Sequence, residues 1–449
     1  MIVHFVYATR RYGWKQGKVQ KGMVADKLAI LGGKPIIAKK DDRLFHWPIV
    51  TEAMKRASDK VLEEGAMSGT DRSREFEEKF AAWHGRKYAL TFPNGTSALT
   101  TTFWALGIGP GDEVVCTTLT YWASCLGAIT LGAKVKFCDC LRDTLQMDPK
   151  SFEAQITKRT KAVIVVHLSA HPCDMDAIMK IANRHHLAVV EDVSHAQGGH
   201  YKGKMLGTFG KVAAMSLMAG KSFAIGEGGI LLTDDYEIYR RAIRYGHYDR
   251  IPQHFSPAEI RQTKNLPFGA MKNRLNQCAS AVGLEQLKKY DRERREIEKA
   301  MLYFWKQLAD IPGIGLIYPK DRGSDKAGWY ASRFSYDPEA FDGLTNITFA
   351  RALSAEVGGG VMPGGYQPLH MSSLFGNKQG PFPVADKINQ WMIGDLWFKH
   401  FDKRALDLHA AAFRKVAENW KLLKPLDRGV KPYDGGAGLS DFEKRKIKR

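Results

Sequence analysis

Residues 216–229 read SLMAGKSFAIGEGG. One lysine, Lys221, stands between a small-residue turn and a glutamate flanked by glycines. Few bulky neighbours crowd it, so the amine can be presented to a bound molecule. Upstream, Val189, Val190, Glu191 and Asp192 end an apolar run on carboxylates, the pattern of a buried strand that delivers an acid to a site at its C-terminal end. Farther upstream, Asn94, Gly95, Thr96, Ser97 and Ala98 make a small polar turn able to open a helix.

Around these elements, residues 75–235 alternate helix-like periodicity with short β-branched runs at Glu113–Cys116, Val135–Cys138, Ala162–Val166 and Ala188–Val190. Strands spaced by helices imply an α/β domain with a mainly parallel sheet. Pro110-Gly111-Asp112 and Leu131-Gly132-Ala133 precede two of the strands, where a helix must stop and the chain must turn. Residues 275–310 read as a long charged helix leading into a smaller C-terminal α+β domain. There, Trp329–Tyr336 reads as a strand, Ile347–Glu356 as a helix and Leu406–Leu423 as a closing helix. The expected divisions are a basic mobile arm at 1–22, a large domain at 23–290, a small domain at 291–425 and a loose charged tail at 426–449.

The chain of 449 residues carries a formal charge of +19. Clustered Lys and Arg gain affinity for nucleic acid by releasing counterions, but here the charge is scattered, and no helix-turn-helix, zinc-finger or aromatic RNA-binding pattern accompanies it. No specific nucleic-acid partner is expected, only a general attraction to anions. With 44% hydrophobic and 26% charged residues, the composition is that of an ordinary globular enzyme, and no apolar run is long enough for a membrane span. The six cysteines lie at 116, 125, 138, 140, 173 and 278 without a CxxC pair. Free thiols in a cytoplasmic protein and no metal site are the expectation.

Phosphate-binding turn, strand-end aspartate and lysine, in that order, are what pyridoxal phosphate chemistry requires. The cofactor is an electron sink whose protonated pyridine nitrogen needs an anion held against it, and Asp192 suits that role. Its phosphate needs N–H donors at a helix start together with hydroxyls, from Gly95, Thr96, Ser97 and Ser216. Tyr121 or Trp122 could cover one face of the ring, and His195 could bond the phenolic oxygen. Lys221 would hold the cofactor as an imine and move protons, because a buried amine with a lowered pKa is nucleophile and base near neutrality. Taken singly, each feature has a plainer reading. A lone lysine is usually solvated, a Glu-Asp pair usually caps a turn, and Tyr121 and Trp122 could be core aromatics. The joint occurrence in one order carries the argument.

The sequence resembles the DegT/DnrJ/StrS-type sugar aminotransferases from about Leu28 to Leu423, through NGTSAL (94–99), GPGDEVV (109–115), VHLSAHPCDMDAI (166–178), EDVSHAQGG (191–199), YKGKMLGTFG (201–210) and GKSFAIGEGG (220–229). The resemblance implies an aspartate-aminotransferase-like architecture, pyridoxal phosphate fold type I. It also implies pyridoxal 5'-phosphate as cofactor and pyridoxamine 5'-phosphate as its amino-carrying form. It makes Lys221 the Schiff-base lysine, Asp192 the pyridine partner, Tyr121 the stacking ring and His195 the phenolic-oxygen neighbour. Gly95, Thr96 and Ser216 become phosphate contacts. In MKNRLNQ, Lys272 holds the position from which a neighbouring subunit reaches the phosphate, implying a homodimer with shared active sites. The implied reaction moves an amino group from glutamate or glutamine to a keto carbon of a nucleotide-linked sugar. RFSYDPEAFDGL (333–344) and GYQPLHMSSLF (365–375) look closer to the cyclitol branch that aminates scyllo-inosose, with Tyr366 and His370 as substrate contacts. A lysine at 221 argues against the dehydratase branch, which has histidine there. Two other readings remain: a pyridoxal-phosphate-binding regulatory protein without turnover, and a different pyridoxal enzyme such as a decarboxylase, a lyase or a cysteine desulfurase using Cys278.

Overall fold

The computed structural model describes residues 27–261, 271–375 and 379–433. The arm expected at 1–22 and residues 434–449 of the tail lie outside the described residues. Strands β1 (Tyr88–Phe92), β2 (Glu113–Thr117), β3 (Lys134–Cys138), β4 (Thr160–Val166) and β5 (Ala188–Asp192) enter one sheet. A two-residue hairpin of β6 (His200–Tyr201) and β7 (Lys204–Met205) follows, then β8 (Val212–Ser216) and β9 (Gly229–Thr233). The seven-stranded order is β1-β9-β8-β5-β4-β2-β3. β8, β5, β4, β2 and β3 pair in parallel, while β9 runs antiparallel to both its neighbours.

Alternate residues of these strands feed two different cores. Val114, Cys116, Ile164, Val166, Val190 and Ala214 join one cluster; Val115, Val163, Val165, Val189, Ala213 and Met215 join the other. Burial on both faces is why the strands read as continuous apolar runs rather than alternating ones. The same period of two sends neighbouring acids at the end of β5 to opposite faces. Glu191 turns to the second cluster and accepts from the backbone N–H groups of Gly207, Phe209 and Gly210, whereas Asp192 turns to the first.

A third cluster holds Phe334, Tyr336, Phe349, Leu353, Leu406 and Phe413. The helix Gln277–Lys306 reaches both, giving Leu284 and Tyr290 to the second cluster and Ile297, Met301 and Phe304 to the third. Leu28, Ile36, Ile37, Phe45 and Trp47 also pack on the third cluster, although sequence order groups them with the sheet. Glu356 explains the attachment: its carboxylate accepts from Ala29 N (2.8 Å), Ile36 N (3.1 Å) and Lys415 Nζ.

Three expectations need correction. The strand read from Trp329 begins only at Arg333, as β11 (Arg333–Tyr336) in a three-stranded sheet after β10 (Ile314–Leu316) and beside β12 (Met392–Gly394). Trp329 and Ala331 have φ of 58° and 52°, a left-handed backbone that no strand accommodates. The closing helix stops at Glu418 and continues as a 3-10 turn, Trp420–Asp427. The tail is not loose as far as Tyr433. The Asp427 carboxylate accepts from Thr345 N at 3.0 Å and from the Thr345 and Thr348 hydroxyls, and the Tyr433 ring lies against Gly364.

Candidate active site

The C-terminal ends of the parallel strands converge on one place. The loop 217–228 links the paired ends of β8 and β9, where Ser216 faces Gly229. It is pinned by Leu217 N to Gly228 O (2.8 Å), Ala219 N to Gly226 O (2.6 Å) and Ile225 N to Leu217 O (2.9 Å). Ser222 donates to Gln197 Oε1 at 2.7 Å, and Phe223 is buried in the second cluster. These flanking residues fix Lys221, which is 8% exposed. Its carbonyl accepts from the Trp47 indole at 2.8 Å, and its Nζ sits 4.2 Å from the centroid of the Tyr330 ring. Burial lowers the Lys221 amine to about 8, against the opposing pull of Asp192. An amine so placed is partly neutral near pH 8 and can act as nucleophile and base.

Asp192 is buried, and its carboxylate is held twice: Ser124 Oγ donates to Oδ2 at 2.7 Å and Ser194 N donates to Oδ1 at 3.0 Å. His195 is buried as well. Its Nδ1 accepts from Ser169 N at 3.2 Å, so a neutral ring carries its proton on Nε2. Burial, reinforced by the charges of Lys221 and Arg333, holds His195 well below the usual histidine range. The ring is thus a neutral donor. Ser169 reaches it from a left-handed conformation, φ 54°.

The helix Gly95–Ala105 begins beside these groups, capped by Asn94, whose Oδ1 accepts from Ser97 N at 2.8 Å. A Cβ on Gly95 would stand 2.7 Å from Ser216 Cβ, and one on Gly229 would stand 2.3 Å from Asn94 O. Both glycines are therefore required for the helix start to touch the ends of β8 and β9. The first turn of the helix and Ser216 therefore adjoin at Gly95, and a helix N-terminus attracts an anion. Tyr121 is 40% exposed and meets Tyr366 at 5.9 Å between ring centroids.

The sequence missed part of the site. Tyr330, under Lys221, also lies edge-on to His195 at 4.7 Å; Tyr366, which the sequence did single out, lies 6.2 Å from His195. Arg333 is held by Gly364 O, Ala331 O and Ser332 O, each 2.9 Å away. His370 does not join them. Its Nδ1 is 2.7 Å from Thr118 Oγ1 and its Nε2 is 2.8 Å from Asp386 Oδ1, so both ring nitrogens are engaged in tying the C-terminal segment to the end of β2. Lys272 is exposed just before the helix Gln277–Lys306.

These residues fit pyridoxal phosphate: a carboxylate fixed in the buried interior, a neutral imidazole N–H, a helix start kept open by glycine, and a buried amine. A mainly parallel sheet whose strand ends gather this set defines the fold type I class of pyridoxal phosphate proteins. Residues 48–401 match the DegT/DnrJ/EryC1/StrS aminotransferase family. A putative L-glutamine:3-amino-2,3-dideoxy-scyllo-inosose aminotransferase of Micromonospora echinospora is 32% identical over 78% of this chain and 83% of its own. A GDP-perosamine synthase of Escherichia coli O157:H7 is 33% identical over 70% of this chain and 81% of its own. Among solved structures, an aminotransferase from Psychrobacter cryohalolentis is similar with a TM-score of 0.74 and 26% identity, covering 84% of this chain and 99% of that one. The chain belongs to the DegT/DnrJ/EryC1/StrS aminotransferase family and is a pyridoxal-phosphate-dependent aminotransferase. Among the described residues, no helix is long and apolar enough to cross a membrane, and no cluster of His, Cys, Asp or Glu is arranged to hold a metal ion.

Proposed function

We propose that the chain moves an amino group from glutamate or glutamine to a keto carbon of a nucleotide-linked sugar or related keto-sugar, a scyllo-inosose-type cyclitol being the alternative acceptor. The observation that carries this reading is Lys221, buried on the loop that joins the paired ends of β8 and β9, with Nζ 4.2 Å from the Tyr330 ring centroid. The cofactor, when bound, supplies the electron sink that lets an amino group leave one carbon and join another. The protein residues do the rest. Lys221 Nζ would accept and return the proton at the reacting carbon. Asp192, oriented by Ser124 and Ser194, would hold the pyridine nitrogen protonated. His195 Nε2–H would donate to the phenolic oxygen, and Tyr121 would pack on the cofactor ring.

Gly95, Thr96, Ser97 and Ser216 form the phosphate cradle, and Lys272 from a second copy completes it in a homodimer. Tyr366 lines the acceptor side. The comparisons support both acceptor classes, since one relative is named for an inosose and another for a nucleotide-sugar product. The test is transfer of 15N from labelled glutamate or glutamine to a panel of nucleotide-linked keto-sugars and scyllo-inosose, followed by mass spectrometry. Label in one acceptor class assigns the substrate. No label in any acceptor from either donor defeats the proposal and favours a regulatory protein without turnover.

A further inference from the structure

The loop between β10 and β11 has a backbone that ordinary side chains avoid. Ala327, Trp329 and Ala331 have φ of 47°, 58° and 52°, the left-handed region where a Cβ crowds the carbonyl oxygen. Such residues persist only where the surroundings over-determine them. The loop is pressed onto the residue that follows Lys221: a Cβ on Gly328 would stand 2.3 Å from Ser222 Cβ. Between two of the left-handed residues, Tyr330 is presented to the site. Its ring centroid lies 4.2 Å from Lys221 Nζ, and the ring is edge-on to His195 at 4.7 Å between centroids.

Several bonds shape the loop locally. Asp325 Oδ1 accepts from Ala327 N at 2.9 Å, Lys326 O accepts from Trp329 N at 2.9 Å, and the Trp397 indole donates to Gly328 O at 2.8 Å. One side chain spans the whole run. Lys326, which precedes it, donates from Nζ to the hydroxyl of Ser332, which follows it, at 2.8 Å, and to Ile317 O, just past β10, at 3.1 Å. Ser332 Oγ donates onward to Asp395 Oδ2 at 3.4 Å, and the Trp305 indole donates to the same oxygen at 2.8 Å. Lys326 is fully buried. Enclosing an amine is costly, and here burial lowers it to about 7, with Asp395 opposing. That cost is explained by the run it closes, since one ammonium reaches both shoulders of the strained loop at once.

We propose that Lys326 is a positioning residue for the reaction at Lys221: by joining Ser332 to Ile317 across the left-handed run, it holds the Tyr330 ring against Lys221 and His195. The ring covers Nζ, and burial is what lowers the Lys221 amine. Loosening the loop therefore lets water reach that amine and returns it toward its ordinary range. The inference rests on the proposed role of Lys221, and not on which donor or acceptor the enzyme takes.

The experiment measures the pH midpoint for acylation of Lys221 in the full-length, cofactor-free chain, with the modified lysine located by peptide mass spectrometry. Wild type should titrate near 8. K326M keeps the length of the side chain and removes its donors, and should raise the midpoint by about one pH unit or more. S332A removes only the bridging hydroxyl, should move the midpoint the same way, and serves if K326M does not fold. Y330A should raise the midpoint too, and adding K326M to Y330A should then change it by less than about 0.3 pH unit. That non-additivity separates positioning through Tyr330 from a general loosening of the small domain. Midpoints of K326M and S332A within about 0.3 pH unit of wild type, or an undiminished K326M effect in the Y330A background, overturn the proposal. The cofactor-loaded variants are then compared in single turnovers with glutamate and glutamine. K326M should slow the reaction roughly 10-fold or more while KM stays within about threefold. A raised KM at an unchanged rate would also overturn it. If wild type reacts with neither donor, the proposed function fails, while the acylation cycle still decides the role of Lys326.

Discussion

The site has two walls of different construction. The sheet wall takes Gly95, Asp192, Ser216 and Lys221 from strand ends and the turns beside them, and backbone hydrogen bonds fix each position. The C-terminal wall takes Tyr330, Arg333 and Tyr366 from segments with left-handed residues and glycine turns, outside any run of regular ladder pairing except where β11 begins at Arg333. The first wall carries groups suited to holding the cofactor. The second lies against Lys221 and His195 through its aromatic rings. If the second wall meets the acceptor, as proposed for Tyr366, specificity can change there while the chemistry in the first stays fixed.

Substitutions on the first wall should affect every substrate alike. Lys221→Ala should lower transfer on the order of 10^4-fold or more for every donor and acceptor, measured by single-turnover 15N transfer. A loss confined to one acceptor would break the comparison. Asp192→Asn keeps the shape and removes the charge, with an expected fall of about 10^2-fold or more in kcat, measured with both donors. His370→Ala tests the second wall differently. If the ring is a tie, removing it should destabilise the fold by about 1–3 kcal/mol in thermal or denaturant unfolding, with little change in acceptor KM. A selective rise in acceptor KM with unchanged stability would return His370 to substrate contact. Ser124→Ala should be milder, about 1 kcal/mol in stability, with a smaller loss of kcat than Asp192→Asn. It sharpens the claim that Ser124 only orients.

The pH dependence follows from Lys221. Its folded value of about 8 lies below the ordinary 10.5, so between these values the unfolded chain binds more protons than the folded one. This group's contribution to stability therefore rises with pH from about 8 to about 10.5 and is lost below about 8. In cofactor-free protein, acylation of Lys221 by an amine-directed reagent should have its midpoint near 8. A midpoint near 10.5 would mean that the amine is solvated.

The sequence made the first wall legible because its signals are local. Lys221 stands among glycines, Asp192 ends an apolar strand, and residues 94–98 make a small polar turn able to open a helix, so a short window carries each inference. The second wall has no such windows. Tyr330 and Arg333 fall inside a run that reads as a strand until the positive φ of Trp329 and Ala331 breaks it. His370 entered only through the family resemblance, and one of its partners, Thr118, lies 252 residues away. Tyr433 was read with the charged tail and packs on Gly364 instead.

Two other buried lysines stand near the site. Lys326 Nζ donates to Ile317 O and Ser332 Oγ, and Lys399 Nζ lies over the Trp397 ring. Burial lowers both amines, Lys326 to about 7 and Lys399 well below the ordinary lysine range. They make the decisive measurement selective: reduce the cofactor-loaded protein with borohydride, digest it and locate the attached cofactor by peptide mass spectrometry. The account predicts attachment at Lys221 and nowhere else, abolished in Lys221→Ala. Attachment at Lys326 or Lys399 in the wild type, or persistence of the label in the Lys221→Ala protein, would contradict it.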